Sequence, residues 1–87
     1  MNKVINIKLL EEYKIWIQFQ DGESKTIDFY PLIGKGVSSV LLDQAYFRQV
    51  RIDNGGGIEW PNGFDFCPNF LKDYNSPEQE LRRNYAA

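Results

Sequence analysis

Gly55-Gly56-Gly57-Ile58-Glu59-Trp60-Pro61-Asn62-Gly63-Phe64-Asp65-Phe66-Cys67-Pro68 is the stretch whose reading decides the fold. Its glycines permit backbone conformations that side chains forbid. Asn54-Gly55 between apolar runs is a hairpin-turn signal. Ile58 and Trp60 alternate with Glu59, as they would in a half-buried strand. Pro61 lacks the N–H that a ladder needs and ends that strand. Asn62-Gly63 marks a second turn, and Pro68 suits the first position of a helix with Cys67 just outside it. The order read from this stretch is hairpin, short strand, sharp turn, short helix.

Working toward the N-terminus, Lys14 to Gln20 alternates, with Ile15, Ile17 and Phe19 on one face and Lys14, Trp16, Gln18 and Gln20 on the other. Asp21-Gly22 is a hairpin turn. In Ser24 to Tyr30, Lys25, Ile27 and Phe29 share one face, and Thr26, Asp28 and Tyr30 the other. Val4 to Leu10 reads as a preceding strand with Ile5, Ile7 and Leu9 on one face. Together these form an antiparallel meander with one buried face.

Val37 to Leu42 has Val37, Val40 and Leu41 at helical spacing, and Asp43 to Phe47 adds a turn. Gln49 to Asp53 reads as a fourth strand with Val50 and Ile52 inward and Arg51 outward. Ile58 to Trp60 is a fifth, antiparallel to it. A helix over residues 68–74 buries Phe70 and Leu71. Ser76-Pro77-Glu78 is a helix-start signal, with Leu81 and Tyr85 on one face of a short tail helix. The expected architecture is α+β: an antiparallel sheet of about five strands, an N-terminal three-stranded meander plus a later hairpin, with one or two short helices packed on it. Residues 1–75 form one domain and 76–87 a tail.

Composition narrows the chemistry. The chain has 87 residues and a net charge of −2, which disfavours a nucleic-acid surface because duplex binding needs a concentrated positive field. A DNA-binding regulator would have to gather Lys3, Lys8, Arg48 and Arg51 on one face. There is no histidine, which removes histidine triads and the commonest metal ligand. The single cysteine excludes an internal disulfide and fits a cytoplasmic protein. No apolar run reaches membrane length and no leader pattern opens the chain. No cofactor, catalytic set or metal site is expected.

The individual motifs have ordinary structural readings. The three glycines precede a strand rather than the helix that a phosphate loop requires. Cys67 lacks a neighbouring base and reads as a buried structural residue. Asp65 and Asn62 are expected to accept backbone N–H groups in their turns or to cap the following helix. Nothing brings Glu11 or Glu12 to Asp53 or Glu59 as a hydrolytic pair. Trp16 and Tyr30 stand out, because tryptophan and tyrosine exposed on one sheet face are what protein interfaces enrich. Trp60 reads as core or pocket wall.

The chain resembles a bacterial domain of unknown function, number 2442 in that series. The resemblance rests on Phe19-Gln20-Asp21-Gly22-Glu23, Asp28, Leu32-Ile33, Phe47, Val50, Ile52-Asp53, the run from Gly56 to Pro68, and Leu71. It spans roughly residues 1–74, and Val37 stands where an aromatic is frequent. It implies a small α+β domain. Members are often encoded beside small toxin-like partners, which implies an antitoxin-like or accessory role in a toxin–antitoxin pair.

The leading expectation is a non-catalytic protein-interaction module that binds another protein or itself, the latter because small domains gain core by pairing. The alternatives are a small-ligand-binding domain or minor enzyme with a site near Trp60, Asn62 and Asp65, and the DNA-binding regulator. Candidate interaction or ligand residues are Trp16, Tyr30, Trp60, Asn62 and Asp65.

Overall fold

The structure is a computed structural model and describes residues 2–75; the expected tail helix lies outside the described residues. Among the described residues, six strands, two short α-helices and two 3-10 segments follow in the order β1 (Val4–Leu9), β2 (Lys14–Phe19), β3 (Ser24–Asp28), 3-10 turns at Tyr30–Leu32 and Gly36–Leu42, α1 (Gln44–Phe47), β4 (Arg51–Ile52), β5 (Ile58–Glu59), β6 (Asp65–Phe66) and α2 (Pro68–Asp73). The fold is α+β, but the strands form two antiparallel three-stranded sheets, β1-β2-β3 and β4-β5-β6, rather than one sheet of five. The sixth strand escapes a sequence reading because Asp65-Phe66 is only two residues between a glycine turn and a proline.

The alternation of β2 places Ile15, Ile17 and Phe19 in the core at zero exposure. Their partners on β3 are Ile27 opposite Ile15 and Lys25 opposite Ile17. β1 departs from simple alternation. Val4 pairs with Phe19 and Asn6 with Gln18, so Ile5 occupies a bulge. The bulge reverses the expected facing there: Val4 is buried and Ile5 points to solvent. Past the bulge, Ile7 and Leu9 pack against the core.

The glycine run joins the two sheets. Gly56 has φ +90°, and a Cβ there would sit 2.6 Å from Lys3 Cγ. A Cβ on Gly57 would sit 2.2 Å from the Phe66 carbonyl oxygen. No side chain fits either approach. The Val4 N–H donates to the Gly56 carbonyl at 2.8 Å, so β1 is stitched directly onto this turn.

An aromatic cluster fills the space under the sheets. Trp60 lies within 6.3 Å, centroid to centroid, of Phe29, Phe47, Phe64 and Phe66. Leu71 from α2 is fully buried, whereas Phe70, expected inside, is 38% exposed. Phe70 instead stacks between Phe66 and Tyr74 at 5.5 and 5.3 Å. Cys67 is exposed rather than buried; its φ and ψ place it as the N-cap before Pro68.

α2 is held at its C-terminal end by a residue from the sheet. Lys25 Nζ donates to the carbonyls of Leu71 (3.0 Å), Lys72 (2.9 Å) and Tyr74. A cation at the carbonyl end of a helix satisfies orphan acceptors and complements the dipole. This explains a lysine on the core-facing side of β3, where its stem packs inward and its head reaches the helix end.

Candidate functional site

Two surfaces merit a functional reading. The first is the 3-10 segment Gly36–Leu42. In a 3-10 helix, residues three apart eclipse one another. Ser38 and Leu41 therefore share the buried ridge, at 5% and 0% exposure. Val37 and Val40 share an outward ridge, at 73% and 40%. The sequence reading assumed α-helical spacing and grouped Val37 and Val40 with Leu41; the tighter winding separates them and turns both valines to solvent. Leu42 and Tyr30 add further exposed apolar surface, at 40% and 61%.

This segment is firmly anchored. Ser38 Oγ accepts from the Gly34 and Lys35 N–H groups at 3.1 and 3.2 Å and donates to the Lys35 carbonyl at 2.8 Å. Tyr13 Oη donates to the Leu42 carbonyl at 2.5 Å. Tyr13 also sits between Tyr30 and Phe47, at 5.6 and 5.3 Å. Asn62 Nδ2 donates to the Val37 carbonyl at 3.0 Å, so the Trp60–Gly63 turn buttresses the same segment.

The second surface is a polar cleft of about 500 Å3 on the small sheet, lined by Arg51, Asp53, Asn54, Glu59 and Asp65 among others. Arg51 pairs with Glu59, and Glu59 with Asp65, across the strands, so these three side chains form one row. Arg51 Nη2 and Nε both reach Glu59 Oε2, at 2.6 and 2.7 Å. Asp65 stands directly opposite Glu59, a like-charge pair that stability alone does not favour. Among the described residues, no cluster of cysteine, aspartate and glutamate is arranged to hold a metal ion.

The residues singled out from sequence do not converge. Trp60 is buried, with Nε1 donating to the Phe47 carbonyl at 2.9 Å. Asn62 is engaged on both sides of its amide, accepting from the Phe64 N–H at 3.0 Å and donating to Val37. Asp65 alone lines the cleft. The turn-closing carboxylate is Asp53, which accepts from the Gly55 and Gly57 N–H groups at 2.7 and 3.1 Å.

Trp16 is half-buried on the outer face of the first sheet, with Lys8 Nζ 5.9 Å from its ring centroid. Tyr30 does not share that face, because β3 ends at Asp28 and Tyr30 begins a 3-10 turn. Ile52 faces the core side with Ile58, yet at the sheet edge it remains 37% exposed. Of the basic residues, Lys8 lies over Trp16, Arg51 pairs with Glu59 in the cleft, and the Lys3 stem packs on Gly56.

The family model for proteins of unknown function DUF2442 matches residues 4–76. The chain belongs to the DUF2442 family. Comparison with curated proteins returns no match, and comparison with solved structures returns none. Within this DUF2442 chain the run from Gly56 to Pro68 has a physical account. Its glycines admit Lys3 and Phe66, its tryptophan anchors α1, its asparagine clamps the 3-10 segment, and its proline starts α2. No helix among the described residues is long and apolar enough to cross a membrane.

Proposed function

We propose that this DUF2442 chain is a non-catalytic protein-interaction module. The observation that carries the reading is the outward ridge of Val37 and Val40, with Leu42 exposed on the same anchored segment and Tyr30 exposed on the preceding 3-10 turn. Exposed apolar surface gathered in one place marks interaction sites, whereas scattered single residues do not. Anchoring by Ser38, Tyr13 and Asn62 lowers the entropy lost on binding, because the segment is already ordered. The biological setting we propose is the bacterial cytoplasm, as the antitoxin-like or accessory member of a toxin–antitoxin pair.

Co-expression with the protein encoded beside it, followed by affinity capture, tests this reading. The wild-type chain should retain that neighbour or a second copy of itself, and Val37→Glu with Val40→Glu should lose the retained chain. Capture that survives this double change but fails with Trp16→Ala would move the interface to the outer sheet face. A chain that binds neither itself nor its neighbour would refute the module.

One observation favours a second reading, a small-ligand site. Asp65 faces Glu59 without a compensating cation of its own in the described ion pairs, inside an open polar cleft. A small cationic ligand would relieve that repulsion. A thermal-shift screen of amines and guanidines, with Asp65→Ser as control, tests it; a flat response would exclude it.

A further inference from the structure

The 3-10 segment carries an arrangement of charge that specifies a partner more narrowly. Lys35 precedes the segment and Asp43 follows it, four residues either side of Ser39. Both are exposed, and among the described residues neither appears in an ion pair. Asp43 uses Oδ1 to accept the Ala45 N–H at 2.9 Å, which fixes its position at the start of α1. Between the two charges lie Val37 and Val40, outward on a single ridge.

We propose that this ridge is the contact through which two copies of the chain pair about a two-fold axis passing near Ser39. The inference rests on the interaction-module reading and names its partner. In a two-fold contact, residue i of one copy meets j of the other and j meets i. With the ridges antiparallel and centred between Ser38 and Ser39, Val37 meets Val40 of the second copy, and Val40 meets Val37. The same operation brings each Lys35 to the end of the other segment, beside the opposing Asp43. The centre of the valine pair and that of the charge pair differ by half a residue, about 1 Å at a rise of about 2.0 Å per residue, which a lysine stem spans without strain. A parallel arrangement would instead set lysine against lysine and aspartate against aspartate. The ridge is thus self-complementary in one orientation, with apolar centre and charged ends, as interfaces are. Ser38, bonded within its own loop, keeps the ridge from collapsing inward.

Equilibrium sedimentation of the full chain up to about 1 mM tests the pairing, since a small interface can be weak. The wild type should dimerise, and Val37→Glu should raise the dissociation constant at least about tenfold. Lys35→Glu and Asp43→Lys should each weaken self-pairing. An equimolar mixture of these two variants should recover it. In the mixed pair, the acid introduced at position 35 of one copy meets the base introduced at position 43 of the other, and the unchanged Asp43 meets the unchanged Lys35. Circular dichroism confirms that each variant is folded; Asp43→Asn, which keeps the cap, serves as a second neutral probe. A wild type that stays monomeric at about 1 mM overturns the pairing, and so does a dimer indifferent to Val37→Glu or a charge-reversed mixture that gains nothing. If the monomer still binds its neighbour through Val37, the module reading stands while the self-pairing falls.

Discussion

Trp60 Nε1 donates to the Phe47 carbonyl at 2.9 Å, and this bond ties the second sheet to α1. Both residues are fully buried, with ring centroids 5.5 Å apart. A buried tryptophan pairs its N–H with a partner when it can, so Phe47 must end its helix where that carbonyl points at the indole. The exposed 3-10 ridge lies just before α1 in the chain.

Replacing Trp60 by Phe should therefore cost about 0.5–1.5 kcal/mol through the lost hydrogen bond, since the Phe47 carbonyl keeps the Val50 N–H at 3.3 Å, and Trp60→Ala about 3–5 kcal/mol through the cavity as well. For a chain of this size each 1 kcal/mol lowers Tm by about 4–8 °C. Urea denaturation measures both.

Gly57→Ala should destabilise by at least about 1–3 kcal/mol, because its Cβ would strike backbone rather than a movable side chain. Gly22→Ala makes the contrast: its φ is positive, at +94°, whereas that of Gly57 is not, but open space surrounds Gly22. Its cost should be confined to backbone strain of about 1 kcal/mol. The order of the two melting temperatures checks the claim that Gly57 is a point of close contact.

Lys25→Met keeps the stem and removes the ammonium from three carbonyls at the end of α2. The expected loss is about 1.5–3 kcal/mol, the range for hydrogen bonds to a charged group. Amide exchange should speed up in α2 more than in β2; uniform acceleration would contradict a local capping role.

Lys72 Nζ reaches Asp21 at 2.5 Å and Glu23 at 2.9 Å and lies 4.7 Å from the Phe19 ring centroid. The hydrogen bond from Lys72, then that from the Glu23 N–H, holds the Asp21 carboxyl below its usual range. The bonds to Asp21 and Glu23 push Lys72 up. The Asp21 contribution is present above its unfolded pKa of about 4 and fades as pH falls through the lowered folded value. The Lys72 contribution is complete below about pH 10.4 and is lost as pH rises through the raised value. Melting temperature against pH should therefore fall at both ends, and Asp21→Asn should flatten the acid limb. An unchanged acid limb would show that the pair does not contribute to stability.

The sequence discloses the fold class and the core of the meander because β2 and β3 alternate strictly and a period of two has no competing interpretation. It does not disclose the bulge at Ile5, since an extra residue in β1 leaves the composition of the strand unchanged. Two-residue strands fall below any periodic signal, so Asp65-Phe66 reads as loop and two sheets read as one. The exposed ridge is hidden for a related reason: Val37 and Val40 belong together at spacing three or spacing 3.6, and only the position of Leu41 separates the two windings. Asp53 and Asp65 are equally good turn residues by type. Which one receives the Gly55 and Gly57 N–H groups depends on the path of the glycine run.

Amide chemical shifts across a dilution series of the wild-type chain, repeated with the neighbouring protein added, test the central claim most directly. Shifts that move together at residues 35–43 and at Tyr30, and leave Arg51, Glu59 and Asp65 still, are the predicted result. Perturbations centred on the Arg51–Asp65 cleft, or no perturbation in either series, would contradict the assignment of the valine ridge as the working surface of this chain.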